Sequence, residues 1–183
     1  MKNLKIKSFA EITCDKITTT KGEVKRESPL SLLARDEVYS QKHLGFGKLA
    51  FADKLAFGVA SLCIESSQNA QIKDPKNCAI VLSTNIGSLH RDVEFMETIK
   101  EGHPSPQLFS STLPSSPIAE IAIVFGLKGA NKVIFGDRDF AQKLVDLLAK
   151  EGSDEVLFVE INIPEDPADI EKSEAFAWLY EGV

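Results

Sequence analysis

Residues 109–150, FSSTLPSSPIAEIAIVFGLKGANKVIFGDRDFAQKLVDLLAK, read as loop, helix, tight turn, strand, sharp turn and second helix. Ser116-Pro117 starts the first helix, with a serine oxygen for the free N–H groups and proline in the first turn. Ile118, Ile121, Ala122 and Phe125 form an apolar face, and Gly126 ends the helix. Gly126-Leu127-Lys128-Gly129 makes a turn, after which Lys132-Val133-Ile134-Phe135 is a short β-rich run. Gly136-Asp137 breaks that strand, and an aspartate at 137 or 139 suits the N-terminus of the helix that follows. That second helix predicts Phe140, Leu144, Leu147 and Leu148 on a buried side. Asp139, Gln142, Lys143, Asp146 and Lys150 fall on a wet one.

Outward from this stretch, strands and helices alternate. Cys78 to Thr84 (CAIVLST) is a continuous apolar run, the pattern of a strand covered on both faces, and Glu155 to Ile163 (EVLFVEINI) is another. Between the first of these and residue 109, Leu89 to Lys100 reads as an amphipathic helix through Leu89, Val93 and Met96. Lys48 to Ser66 is apolar almost all round, so it predicts a helix buried on several sides, with small residues allowing close approach. Leu4 to Cys14 alternates as a strand, Asp15 to Ser28 is a polar hairpin or loop, and Ser31 to Val38 is a short helix. Ala168 to Tyr180 is expected to be a terminal helix carrying Ala175, Trp178 and Leu179 on one face. The alternation indicates an α/β domain with a layered, largely parallel sheet. At 183 residues the chain is most economically a single domain, 1–183.

Charge and cysteine usage narrow the class. A net charge of -6 argues against binding a phosphate backbone, so no nucleic acid is expected. No 18-residue apolar run is present, and the N-terminus Met-Lys-Asn-Leu-Lys-Ile-Lys lacks a signal-peptide core. Cys14, Cys63 and Cys78 lack C-x-x-C spacing and predict free, mostly buried thiols in a reducing, cytoplasmic setting. His43, His90 and His103 sit in separate segments, so no metal site is expected. Ser88, His90 and Asp92 lie within five residues on one helix start, whereas triad members converge from separate elements. Ser88 reads instead as a helix cap. The Gly45-Phe46-Gly47 pair lacks the preceding strand and third glycine of a nucleotide loop.

In its order of motifs the chain resembles the β-ketoacyl synthases, condensing enzymes of the thiolase fold. Their nucleophile segment runs through a proline-rich loop, a helix, Gly-Leu-Arg/Lys-Gly-Pro, a strand and Ala-Cys-x-Ser-Gly opening a helix. Ser115 to Ala122 and Gly126 to Gly129 match that pattern, and Ala130 stands where the family has proline. The resemblance spans roughly residues 45–163 and implies a thiolase-like half, the first of the two that a complete synthase contains. It places the nucleophile cysteine near Asp137 or Arg138, where no cysteine is present, so this is a degenerate nucleophile position. The second half carries the family's catalytic histidines, and the wet face of the helix after Asp137 fits a chain without that layer.

These features resemble the cysteine-free relatives called chain length factors, which pair with an active ketosynthase. The resemblance therefore implies a non-catalytic subunit in fatty-acid, polyene or polyketide synthesis, with no cofactor. Its expected partners are a full-length ketosynthase and an acyl carrier protein, or a second copy in a homodimer. The strand Lys132, Val133, Ile134 and Phe135 would lie at the sheet edge and pair across the partner interface. The alternatives are an acyl-thioester enzyme of different chemistry and a free-standing acyl-binding or carrier-binding module.

Overall fold

A computed structural model of the chain describes residues 4–67, 71–136 and 138–182. The strands are β1 (Leu4–Ile12), β2 (Lys16–Thr19), β3 (Gly22–Lys25), β4 (Cys78–Thr84), β5 (Asn131–Phe135), β6 (Glu155–Asn162) and β7 (Glu174–Gly182). The helices are α1 (Arg35–Val38), α2 (Phe51–Ser66), α3 (Leu89–Lys100), α4 (Pro106–Phe109), α5 (Ser116–Phe125) and α6 (Arg138–Lys150). All seven strands join one sheet in the order β3-β2-β1-β7-β6-β4-β5. Its parallel core is β6-β4-β5, where the apolar runs and the turn chemistry place it. The rest is antiparallel: β7 returns along β6, β1 pairs β7, and β2-β3 form the hairpin. Among the described residues no helix is long and apolar enough to cross a membrane.

Each face of the sheet has its own core. Ile80 and Leu82 of β4, Leu157, Val159 and Ile161 of β6, and Ala175, Ala177 and Leu179 of β7 point to α2 and α5. The alternate residues, Ala79, Val81, Val156, Phe158 and Tyr180, meet α6. This period-two sorting makes β4 and β6 apolar throughout, since both faces are covered. Helix α2 lies across its face with eleven of sixteen residues buried. Gly58 keeps it close to α1, because a Cβ there would stand 3.2 Å from the Val38 side chain.

The glycines at 126 and 129 have separate reasons. Gly126 ends α5 in the left-handed conformation (φ 67°), which a Cβ disfavours. A Cβ on Gly129 would lie 2.2 Å from the Cys78 carbonyl oxygen, so the turn can enter β5 beside the start of β4 only with glycine.

Three expectations need correction. The segment from Ala168 is a 3-10 helix over Pro167–Lys172 followed by a strand, because Phe176, Trp178 and Tyr180 alternate with Ala175, Ala177 and Leu179 and both sets pack. Helix α6 buries Ala141, Val145, Leu148 and Ala149, with Leu144 half-buried, whereas Phe140 and Leu147 are 56% and 47% exposed. The face turned to the sheet is thus the one with small residues, which let the helix settle on the bulkier Phe158 and Tyr180. Neither helix-start serine caps: Ser116 Oγ donates to Asp53 Oδ2 (3.2 Å), and the Ser88 hydroxyl lies within hydrogen-bond reach of both Asp92 Oδ2 and the Thr112 carbonyl, sharing its one proton between them. The three thiols are free and mostly buried, as expected: Cys63 and Cys78 are interior and Cys14 is exposed.

Candidate functional site: an elbow without a thiol, an edge strand and a cavity

The elbow between β5 and α6 is welded to the end of β4. Gly136 N–H donates to the Thr84 carbonyl (2.9 Å), and its own carbonyl accepts from Ser83 Oγ (2.7 Å). Gly136 has φ 87°, so the chain reverses sharply there. Asp137 lies outside the described residues. Arg138 opens α6, and its Nε donates to Glu160 Oε2 at 2.6 Å. The guanidinium also lies 5.2 Å from the Phe176 ring centre and 5.1 Å from that of Trp178, within cation–π reach of both. Trp178 stacks in turn on Phe158 and Phe176. The first residue of α6 is thus a cation tied to β6 and β7.

The cysteines lie elsewhere. Cys78 begins β4, at the opposite end of the strand from the elbow, and Cys63 is inside α2. Burial pushes both thiols up to about 12, which leaves essentially no thiolate at neutral pH.

Strand β5 is the last of the sheet and pairs only with β4, in the register Val81↔Lys132 to Thr84↔Phe135. Its outer edge therefore presents unpaired backbone groups among the described residues. Val133 and Ile134 are half-buried, one against each core, while Lys132 and Phe135 are exposed. The Phe135 ring closes over Gly87, where a Cβ would come within 2.7 Å of it, and Pro114 lies beside the same glycine.

The serine, histidine and aspartate of α3 do not form a relay. His90 Nε2 lies 3.0 Å from the Glu165 carbonyl, while Ser88 and Asp92 bond to each other. His43, unremarkable in sequence, is packed edge-on to Phe57 with Nε2 2.6 Å from Glu120 Oε1. Its Nδ1 accepts the Gly45 N–H, which assigns the ring proton to Nε2.

Beside the edge strand, at the carboxyl ends of β4 and β6, a cavity of about 230 Å³ is walled by Ile86, Val93, Leu113, Pro117 and Ile163. The carboxyl end of a parallel sheet is where open α/β folds place their crevices. Asp53 supplies its buried polar group. Burial pushes that carboxyl up to about 6, against the Ser116 hydrogen bond and the Arg91 charge, which pull it down. An acid in the first turn of an otherwise apolar helix was the one signal for it in the sequence.

No family model matches the sequence, and no curated protein does. Solved structures are similar over nearly the whole chain. A ketosynthase in complex with its chain length factor from Xenorhabdus doucetiae matches with a TM-score of 0.71 and 14% identity, over 99% of this chain and 79% of that one. The ishigamide ketosynthase/chain length factor gives 0.71 and 14%, over 97% and 62%. A β-ketoacyl synthase from Burkholderia phymatum gives 0.71 and 10%, over 100% and 60%. The chain thus spans about three fifths of the latter two. At such identities the likeness is one of fold: the chain has the thiolase-like half-fold of the ketosynthases.

Proposed function

We propose that this chain is a non-catalytic ketosynthase-fold subunit that pairs, as a chain length factor does, with an active β-ketoacyl synthase in fatty-acid, polyene or polyketide synthesis. The observation that carries the reading is the elbow. A condensing enzyme needs a thiolate at the start of this helix, where the backbone dipole favours it. Here no residue from Ile134 to Phe140 is a cysteine, and Arg138 is committed to Glu160. Arginine accepts no acyl group, and the two buried thiols lie outside the elbow.

The partner contact in this reading is β5. Lys132, Val133, Ile134 and Phe135 form an edge without proline or inward charge, and the β-branched and aromatic side chains favour strand pairing. The similar chain from Xenorhabdus doucetiae comes from a complex of a ketosynthase with its chain length factor, which supports a paired state for this chain. An acyl carrier protein then delivers substrate to the active subunit. The protein is incubated alone with acyl and malonyl carrier-protein thioesters and analysed by mass spectrometry. The expected result is no covalent adduct and no condensation product; an acyl adduct on any residue would sink the reading. Co-expression of a full-length β-ketoacyl synthase from the same genome is expected to yield a stable complex.

A further inference from the structure

Helices cover the two faces of the sheet unequally. On one side α2 reaches across β1, β6 and β7. On the other, α6 rests on β4 and β6, and among the described residues no helix packs on β7 and β1 from that side. The strands are aromatic there nonetheless. Phe9 of β1 stands opposite Trp178 of β7 in the register, Phe176 stacks on Trp178, and all three rings are half-buried. Strands about 4.8 Å apart leave β7 and β1 room for one more helix, which is about 10 Å wide.

The same side of the molecule carries the ridge of α6 that its own sheet leaves out. Phe140 and Leu147, seven residues apart and so on one face, are each about half exposed and turned away from the buried stripe. We propose that the chain self-associates about a two-fold axis, each α6 laying Phe140 and Leu147 on the Phe9–Trp178 floor of the other copy. A two-fold makes each contact twice, so a ridge and an open floor on one side of one chain complement each other. A thirteen-residue helix is about 20 Å long and covers on the order of 200 Å² of sheet. Counted on both surfaces and twice over, with the seam between the helices, this reaches about 1,200 Å², the lower end of stable interfaces.

Charge favours a second copy as the occupant. The wet side of α6 carries Asp139, Lys143, Asp146 and Lys150, two of each sign. At four-residue spacing they balance within one helix. An antiparallel copy sets 139 opposite 150 and 143 opposite 146, acid against base each time. On the floor Arg138 is paired with Glu160 and Lys16 with Glu23. Glu11 and Glu174, on that face by strand alternation, give the ridge lysines an acidic border. The net charge of -6 on each copy opposes approach weakly, since screening at physiological salt acts within about 8 Å. This surface shares no residue with β5, and the inference does not depend on the functional reading above.

The test uses the full chain alone. Trp178 is the single tryptophan and lies on the floor, so its emission and its quenching by acrylamide report on this contact. Light scattering and sedimentation are expected to show a monomer–dimer equilibrium with Kd on the order of 10 µM. Trp178 should become harder to quench as the dimer forms. Phe140→Glu/Leu147→Glu should raise the Kd at least about 30-fold and leave Trp178 quenching independent of concentration. Both side chains are about half in water, so circular dichroism should remain that of wild type. Phe140→Gln/Leu147→Gln replaces the pair if the glutamates disturb folding. A wild type that stays monomeric at concentrations about 100-fold above that Kd overturns the inference. So does a dimer that a folded double variant keeps within threefold, or one that forms without protecting Trp178, since the copies then meet elsewhere. None of these outcomes alters whether the chain captures a synthase, which is measured separately.

Discussion

Helices α2 and α3 are both rich in apolar residues, yet one is almost wholly interior and the other buries nothing. Helix α2 lies on the sheet beneath α5 and packs against β1, β6, β7 and α1. Helix α3 opens the crossover from β4 to β5, but α5 takes the place against α2, and α3 is left resting on α4 through Phe95 and Phe109. Apolar content alone therefore does not decide burial; the place of a helix in its crossover does. The inner helix carries the stability of the fold, and the outer one leaves apolar surface in water.

The largest effect expected from this contrast is at Phe57. Its ring is fully buried and in contact with Tyr39, His43, Phe46 and Phe125. Phe57→Ala should cost about 3–5 kcal/mol in denaturant unfolding of the isolated chain. A cost under about 1 kcal/mol would show that α2 is loosely held and that the contrast with α3 is not one of packing.

Next in size is Leu148 on α6, which is buried against the other face of the sheet. Leu148→Ala should cost about 2–5 kcal/mol, while Lys143→Ala stays within about 0.5 kcal/mol. Equal, large losses at both would mean that another layer covers the outer face of α6.

That helix also shows how far the sequence can be read. Its amphipathic character and limits are legible, but the stripe of large residues through Phe140 and Leu147 points outward, and the buried stripe includes Ala141 and Ala149. Periodicity locates an apolar side by size, whereas the sheet selects by fit. Strands β4 and β6 and the two glycines of the 126–129 turn are legible because continuous apolar runs and tight approaches leave few alternatives. Strand β7 is not, since Ala175, Trp178 and Leu179 satisfy helical spacing as well as strand alternation. At the candidate site the absence of cysteine from Ile134 to Phe140 is plain in the chain. The pairing of Arg138 with Glu160 under two aromatic rings depends on strands that meet only in the fold.

A third test uses pH. Asp53 lies at the start of α2, and burial raises its carboxyl to about 6 in the folded chain from an ordinary value of 3.8. A raised acid contributes stability that is fully present below the unfolded value and is lost as pH rises through the folded one. Between about pH 4 and pH 6 the native state should therefore lose up to about 3 kcal/mol from this group on going to higher pH. Asp53→Asn should flatten that part of the stability profile relative to wild type. An unchanged slope in the variant would mean that Asp53 is hydrated in solution and that the cavity beside it is wet.

The smallest expected effect is on α3. Val93→Ala and Met96→Ala remove apolar volume of the same kind as a core truncation, but each side chain is already about half in water. The lost transfer energy is then a fraction of the buried value, no closed cavity is created, and alanine is the better helix former. The three contributions nearly cancel, so each variant should unfold within about 0.5 kcal/mol of wild type. Chemical denaturation of the isolated chain measures this directly, at a concentration where light scattering shows monomer. A loss above about 2 kcal/mol at either position would place α3 in the core of the monomer and remove the surface that sets it apart from α2. A small loss at both positions would leave α3 at the surface of the monomer and the contrast with α2 intact.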